Sequence, residues 1–254
     1  MKKPVNFIAI LLVTFLLIPV VGFSQGKVIQ MASLDWPPYT GESLPDAGAN
    51  VVVAKAAFAA MGYELDVKFY PWARTIALAK TPKYVGYFPE YYAKEIESEF
   101  IFSDPIGDSP LGFVERTDTP IAWNTVDDLK LVGSIGTVRG YVNTEEFDQM
   151  AASGEIKVDE VVDDTTNLRK LLGKRIKMAV IDKSVMLYIL KFDTDFTGKQ
   201  SQLQFNSRLL ENKKLYLCFQ RTDNGKRIVG IFNEGLKKID QDQITKDYFS
   251  KMLD

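Results

Sequence analysis

Apolar and polar residues alternate along the first third of the chain in a pattern that predicts strands and helices in turn. An apolar run at 28–31 predicts a first strand, and the Ala-rich stretch 48–62 predicts a buried helix that ends at Gly62. The stretch 63–71 alternates as a strand does, and 72–80 has helical spacing. This order is typical of an α/β layered fold with a largely parallel sheet.

The rest of the chain continues this order after a turn-rich segment. Short strands are predicted at 85–88 and 111–115, and 130–135 predicts a strand that opens a second αβ pattern. Asn143, with Glu146 three residues later, predicts a capping box for the next helix. The remaining elements are a helix at 165–173, a strand at 176–181, a helix from about Ser184, a strand at 213–221 and two closing helices.

The first 24 residues have the pattern of a secretion signal. Lys2 and Lys3 precede a long apolar run, and Gly22 and Ser24 supply the small residues of a cleavage site. The run is nearly long enough to span a bilayer, so an uncleaved anchor is the competing interpretation. Pro19 and the small residues after it favour cleavage. We therefore predict export.

Composition removes several classes of function. The leader holds two of the 31 basic residues, which leaves 29 basic against 33 acidic side chains and a mildly acidic mature chain. With no dense Lys/Arg run, a nucleic-acid partner is not expected. The chain has no histidine, which excludes Ser/His/Asp and Cys/His nucleophiles and His-dependent zinc sites. Its one cysteine, Cys218, is expected to be a buried apolar residue. We predict binding rather than catalysis, with no cofactor and no metal ion.

The stretch after the first strand carries two aromatic rings on a proline-braced loop. Pro37 and Pro38 cannot continue a strand ladder and fix the backbone between Trp36 and Tyr39. Open α/β sheets bind ligands at the carboxyl ends of their strands, so this loop is a candidate ligand contact. The simpler interpretation is that both rings pack the core, as aromatic residues often do; we favour a ligand contact for at least one of them.

The ordered set of motifs resembles a known family, the periplasmic solute-binding proteins of polar amino acid ABC importers, bacterial extracellular solute-binding family 3. The matching stretches are WPPY, FYPWAR, FIFSDPIGDSPLGFV, DDLKLVGSIGTVRGY and KMAVIDKSV. The resemblance implies the type II fold of two α/β lobes, with lobe one at 25–116 and 209–254 and lobe two at 117–208. It also implies closure of the lobes on a small polar solute, delivery to a membrane ABC permease, and a monomer.

Several charged residues are candidates for holding a zwitterionic solute. The family places a ligand carboxylate near a threonine such as Thr137, and Arg139 follows two residues later, where it can serve equally as an exposed surface residue. Asp182 follows a predicted strand, where the family takes the ligand ammonium and where an Asp also caps a helix well. Arg74 is the candidate cation of lobe one, against a surface salt bridge as its simpler role.

One family motif is missing before FSDP. The family usually has Thr-x-x-Arg there, and its arginine pairs with the ligand α-carboxylate; this chain has Lys94 near that place and no arginine. Glu90, Tyr91 and Tyr92 form a polar and aromatic group that can face the cleft or the surface. Of these, Glu90 and Tyr92 are taken as candidate ligand contacts.

Two other functions fit the same two-lobe fold. A periplasmic enzyme similar to cyclohexadienyl dehydratases would use cleft carboxylates, with Glu90 or Asp182 as the general acid. A sensory module would bind a ligand and signal to a partner without transport. The spacing of the residues does not separate these functions from solute capture, because all of them use the same cleft.

Overall fold

Strands and helices alternate throughout residues 27–253, which are the residues described by the computed structural model. The predicted secretion signal at 1–24 lies outside the described residues. The strands are β1 Lys27–Ser33, β2 Tyr63–Phe69, β3 Gly86–Tyr91, β4 Phe100–Phe102, β5 Gly107–Arg116, β6 Ile135–Val138, β7 Val158–Val161, β8 Met178–Asp182 and β9 Leu203–Gln220. The helices are α1 Ala49–Ala59, α2 Trp72–Ala79, α3 Glu145–Ala152, α4 Asp164–Leu172, α5 Lys183–Phe192, α6 Asp223–Leu236 and α7 Gln241–Leu253. None of the helices described is both long and apolar enough to cross a bilayer.

Lobe one is a sheet in the order β2-β1-β3-β9 with helices on both faces. β1 is parallel to β2 and β3, while β9 returns antiparallel to β3 and β4. α1 packs against α6 and α7, with the rings of Phe58 and Phe232 5.0 Å apart. At this crossing a Cβ on Gly235 would lie 2.1 Å from the carbonyl oxygen of Ala57, so only glycine fits. On the other face, Cys218 is buried in an aromatic cluster, as predicted.

Lobe two is a second sheet in the order β5-β8-β6-β7. β6 is parallel to both β7 and β8, and β8 runs antiparallel to β5. The buried faces of α4 and α5 pack on these strands through Leu168, Leu171, Val185 and Ile189. The carboxyl ends of β6 and β8 therefore meet at one edge of the sheet, which is the edge that faces lobe one.

Two long antiparallel strands, β5 and β9, connect the lobes. Their ladder runs from the pair Gly107–Leu215 to the pair Arg116–Leu203 and is irregular on either side of Gly112. Hydrogen bonding is thus continuous through both sheets, and the two connections between lobes are confirmed. β5 already pairs with β8 at Leu111, ahead of the predicted start of lobe two at Thr117; the lobe boundaries themselves stay a prediction.

Two predictions about lobe two are wrong, one about a strand and one about a helix N-cap. The stretch 130–135 is not one strand: a 3-10 helix covers Val126–Leu131, Leu131 is 91% exposed, and β6 begins only at Ile135. The N-cap of α3 is Thr144 rather than Asn143, because Thr144 has an extended backbone and its Oγ1 accepts the backbone N–H of Phe147 at 3.3 Å. Asn143 instead donates to the Asp148 carboxylate.

This correction predicts the outcome of two substitutions at the start of α3. Thr144→Ala removes the cap and should lower the free energy of unfolding by about 1 kcal/mol. Glu146→Ala is the matched control, because the Glu146 side chain forms no hydrogen bond among the described residues. Urea unfolding of both variants measures the difference. A larger loss for Glu146→Ala than for Thr144→Ala would restore the capping box predicted from the sequence.

Candidate ligand-binding site

The WPPY loop after β1 is a closed turn that holds two rings together. The backbone N–H of Trp36 donates to the Thr40 carbonyl at 2.8 Å, and Thr40 Oγ1 donates to the Leu34 carbonyl at 2.9 Å. The rings of Trp36 and Tyr39 stack with their centroids 4.8 Å apart, and both are buried. The loop thus presents a rigid aromatic pair toward lobe two.

Asp182 stands opposite this pair, at the end of β8. Its Oδ1 accepts the backbone N–H of Val185 at 2.9 Å, which caps α5. Its Oδ2 accepts the hydroxyls of Tyr39 at 3.1 Å and Ser109 at 2.5 Å. One carboxylate therefore serves as a helix cap and as a contact with lobe one; the predicted cap is confirmed, and the contact with a ligand ammonium stays a prediction.

Two small adjoining cavities lie between the lobes beside Asp182. Their volumes are about 30 and 20 Å³, and both are lined by Trp36, Tyr91, Tyr141 and Val142. Glu90 also lines the first, while Asp164 and Asp182 also line the second. We call these two cavities the cleft. Among residues 27–253, its walls are aromatic and aliphatic apart from Asn143, and its charged members are three carboxyl groups.

Polar contacts join the lobes across the cleft. The indole N–H of Trp36 donates to Asp164 Oδ2 at 3.3 Å, alongside the bond from Tyr39 to Asp182. At the rim, the indole N–H of Trp72 donates to the carbonyl of Gly140 at 2.9 Å, and its ring meets Tyr141 edge-on at 5.7 Å. The lobes are thus closed on each other in this structure.

All three cleft carboxyls have raised pKa values, and burial is the largest cause in each case. The pKa of Glu90 rises to about 8, that of Asp164 to about 7 and that of Asp182 to about 6. Hydrogen bonds to the charged form oppose the shift, from Tyr87 for Glu90, from Trp36 for Asp164 and from Ser109 for Asp182. The carboxyl groups are therefore partly protonated near neutral pH.

These shifts predict how the stability of the ligand-free protein depends on pH. Unfolded carboxyls titrate near pH 4, so between about pH 4 and 8 these three groups bind more protons in the folded chain than in the unfolded chain. Their contribution is complete below the unfolded pKa and is lost as pH rises through the folded pKa values. The melting temperature should therefore fall by several degrees between about pH 5 and 8.

A pair of variants assigns this pH dependence to the cleft. Glu90→Gln removes the group with the highest of the three pKa values and should flatten the upper part of the curve. Glu160→Gln, on the outer surface beside Arg139, should leave the curve unchanged. A melting temperature that rises over this interval, or equal flattening by both variants, would contradict the assignment.

Comparison with solved structures identifies the fold. An ancestral arginine-binding protein bound to arginine superposes with a TM-score of 0.71 and 16% identity, covering 88% of this chain and 97% of its own. The substrate-binding protein of an amino acid ABC transporter gives 0.67 and 20%, with 88% and 98% covered. A histidine kinase sensor domain with similarity to periplasmic binding proteins gives 0.73 and 17%, with 89% and 95% covered. The fold is that of the type II periplasmic binding proteins. No protein-family model and no curated protein sequence matches the chain.

Four of the predicted site residues converge on the cleft of this periplasmic binding protein fold. Trp36, Glu90 and Asp182 line its cavities, and Tyr39 contacts Asp182 from the same loop as Trp36. The first lobe supplies the rings and Glu90, and the second supplies Asp182. Their role in binding stays a prediction.

The other four predicted residues have their contacts elsewhere. Arg74 is exposed and lies over the Tyr70 ring, and Arg139, with a side chain 69% exposed, pairs with Glu160. Tyr92 is exposed and packs on Phe102. Thr137 is buried within β6, and neither cleft cavity is lined by it. The structure therefore brings none of these four to the cleft.

Among the lining residues that were not predicted as contacts, Asp164 and Tyr141 were not considered from the sequence, and Tyr91 was considered without being chosen. Asp164 follows Asp163 at the start of α4, and because Asp163 caps the helix, Asp164 is left to accept from Trp36. Tyr91 is the last residue of β3 and lines the cleft, whereas Tyr92 lies beyond the strand and is exposed. Tyr141, after β6, had a usable signal: it follows a strand end, as Asp182 does.

Proposed function

We propose that this chain is an extracytoplasmic binding protein that captures a small polar solute between its lobes and delivers it to a membrane ABC permease. The observation that supports this most directly is the meeting of lobe-one rings with lobe-two carboxylates, Trp36 with Asp164 and Tyr39 with Asp182. A solute held between a ring and a carboxylate contacts both lobes at once. Only the closed arrangement offers such a contact.

Capture and closure would then be one equilibrium. A ligand shifts a two-state equilibrium only by its difference in affinity for the two states, and here that difference comes from groups on opposite lobes. The bulged ladder between β5 and β9 is the segment that connects the lobes and would absorb the movement. Release at the permease requires the same contacts to separate again.

Sensing is the second candidate function. It is supported by the likeness of the fold to a histidine kinase sensor domain, which covers 95% of that domain. A sensor would use the same cleft and the same closure, but would pass the movement to a signalling partner. Uptake of a labelled solute by cells that lack this chain separates the two: loss of uptake supports import, and unchanged uptake supports sensing.

Mass spectrometry of whatever copurifies, followed by a thermal-shift screen, tests the shared part of the proposal. A solute that binds only the folded protein stabilises it by mass action and so raises its melting temperature. At a concentration one hundred times the dissociation constant, the free energy of unfolding rises by about 2.7 kcal/mol. We expect at least one small polar solute to produce such a shift. No shift with any amine, amino acid or small organic acid would overturn solute capture, and conversion of a bound solute to a product would support the dehydratase-like alternative.

A further inference from the structure

The charged groups of the cleft are of one sign. Glu90 of lobe one and Asp164 and Asp182 of lobe two line its cavities, and no lysine or arginine of residues 27–253 lines either of them. Together with the aromatic walls, these acidic groups favour a cationic ligand over an anionic one. We infer that the solute is a small organic cation without a carboxylate group, a primary amine or a quaternary ammonium ion. This inference rests on the proposed solute-binding function.

The basic residues considered as partners of a carboxylate have contacts elsewhere or are exposed. Arg139 pairs with Glu160 at 3.6 Å on the surface, and Arg208 lies over the ring of Trp123 at 5.1 Å. The family's usual arginine before FSDP is absent, and Lys94 near that place is exposed. A carboxylate in the cleft would therefore gain no ion pair from these residues and would face three acidic groups.

Lys213 is a basic residue beside a cleft ring, and it does not reverse this balance. Its ammonium lies 5.6 Å from the centre of the Tyr91 ring and 3.4 Å from Glu211, and its side chain is 9% exposed. Its charge lowers the pKa of Glu90, an effect smaller than that of burial. The single positive charge of Lys213 is fewer than the three negative charges of the ionised carboxyl groups. The cleft therefore keeps an excess of negative charge when these groups ionise.

The rings of the cleft suit a cation as well. Trp36, Tyr91 and Tyr141 line both cavities, and an ammonium over such a ring gains about 0.5 to 2 kcal/mol. The hydroxyl of Tyr141 has no hydrogen-bond partner among the described residues, so its oxygen is available to accept an N–H. The aromatic faces favour a cation over an anion, and the Tyr141 hydroxyl can accept one of its N–H groups.

A metal ion is a poorer match to the same site. In the part of the chain that the structure describes, no group of three or more acidic or cysteine side chains is arranged to hold a metal. Ca²⁺ and Mg²⁺ need six or more oxygen ligands at short range, which an aromatic cavity does not offer. The cation that fits is therefore an organic one, with an apolar surface for the rings and an ammonium for the carboxylates.

Isothermal titration of matched pairs tests this ligand class directly. Each pair consists of an amine and a counterpart that carries a carboxylate: methylamine and glycine, ethanolamine and serine, putrescine and ornithine, choline and glycine betaine. For the pair that binds best, we expect the amine to bind at least tenfold more tightly than its counterpart. Because a bound cation favours ionised carboxyls, binding should also release protons at neutral pH, seen as a heat that depends on the buffer.

Variants assign the preference to the cleft. Glu90→Gln and Asp164→Asn should each lower the affinity for the best-binding amine at least tenfold. Glu160→Gln, on the surface, should leave that affinity unchanged. Circular dichroism and thermal unfolding show whether each variant is folded. If neither cleft variant folds, the matched pairs and the proton release decide the question on the unmodified protein.

The outcomes separate this inference from the proposed function. Tighter binding of the amine with release of protons supports both. Equal or tighter binding of the carboxylate-bearing partner overturns the cationic class and leaves solute capture intact. Binding of none of the eight probes overturns the inference, while the wider thermal-shift screen of amines, amino acids and organic acids decides the fate of solute capture on its own.

Discussion

Trp36→Ala should weaken the tightest-binding solute of the screen about a hundredfold. The indole lines both cleft cavities, stacks on Tyr39 and donates to Asp164 across the lobes. Its removal deletes a ring face worth about 0.5 to 2 kcal/mol to a cation. It also deletes a hydrogen bond that helps to hold the lobes closed, worth about 0.5 to 1.5 kcal/mol. Together these approach the roughly 2.7 kcal/mol of a hundredfold change.

Trp36→Phe is the matched control for this substitution. It keeps a ring against Tyr39 and loses only the N–H that reaches Asp164, so we expect a loss of less than tenfold. Titration calorimetry measures both variants, and thermal unfolding shows that each is folded. Equal affinity of Trp36→Ala and the unmodified protein would return Trp36 to a packing role.

Asp182→Asn should weaken binding of a cationic or zwitterionic solute at least tenfold, about 1.4 kcal/mol. The substitution removes a buried charge from the cleft and keeps the size of the side chain. Asparagine is also a good helix N-cap, so the contact with the start of α5 is retained. The loss of affinity then reports the charge rather than the fold.

Asp163→Asn provides the same change at a helix cap outside the cleft. Asp163 is exposed and caps α4 through the N–H of Thr166, and neither cleft cavity is lined by it. Its substitution should leave the dissociation constant unchanged. If Asp182→Asn behaves as Asp163→Asn does, Asp182 is a helix cap and contributes nothing to binding.

Hydrophobic periodicity predicted most of the fold, and the errors have local causes. The alternation at 63–71 and the helical spacing of 72–80 correspond to β2 and α2, because burial of one face sets both patterns. The stretch 130–135 failed because Leu131 and Val132 are apolar without being part of a strand; Leu131 is almost fully exposed. The long β9 was predicted only in its lobe-one half, since its polar first half carries no strand pattern.

Site residues could be predicted when their position at the end of a strand was enough to bring them to the cleft. They could not be predicted when the direction of the side chain decides. Trp36 and Asp182 each follow a strand, and the topology turns both strand ends toward the other lobe. Arg139 also follows a strand, yet its side chain turns outward to Glu160, which no spacing rule specifies. Tyr91 ends β3 and lines the cleft, whereas the predicted contact Tyr92 lies beyond the strand and is exposed; the sequence pattern does not show where the strand ends.

No arginine of residues 27–253 lines the cleft, and this bears on the chemical class of the ligand. Sequence reasoning showed only that the usual arginine before FSDP is missing; the structure adds that Arg74 and Arg139 have contacts elsewhere. What remains at the cleft is acidic and aromatic. A binding protein with this lining would recognise the ammonium group that amino acids share with amines, without the carboxylate that distinguishes them.

A crystal structure of the protein with its tightest-binding probe tests the central claim most directly. We expect the probe between the two lobes, with its cationic group against Asp182 or Asp164 and its apolar surface on the Trp36 ring. A probe bound on an outer surface, with both cavities free of it, would contradict capture between the lobes. A probe in the cleft that touches neither the ring nor a carboxylate would contradict the means of recognition.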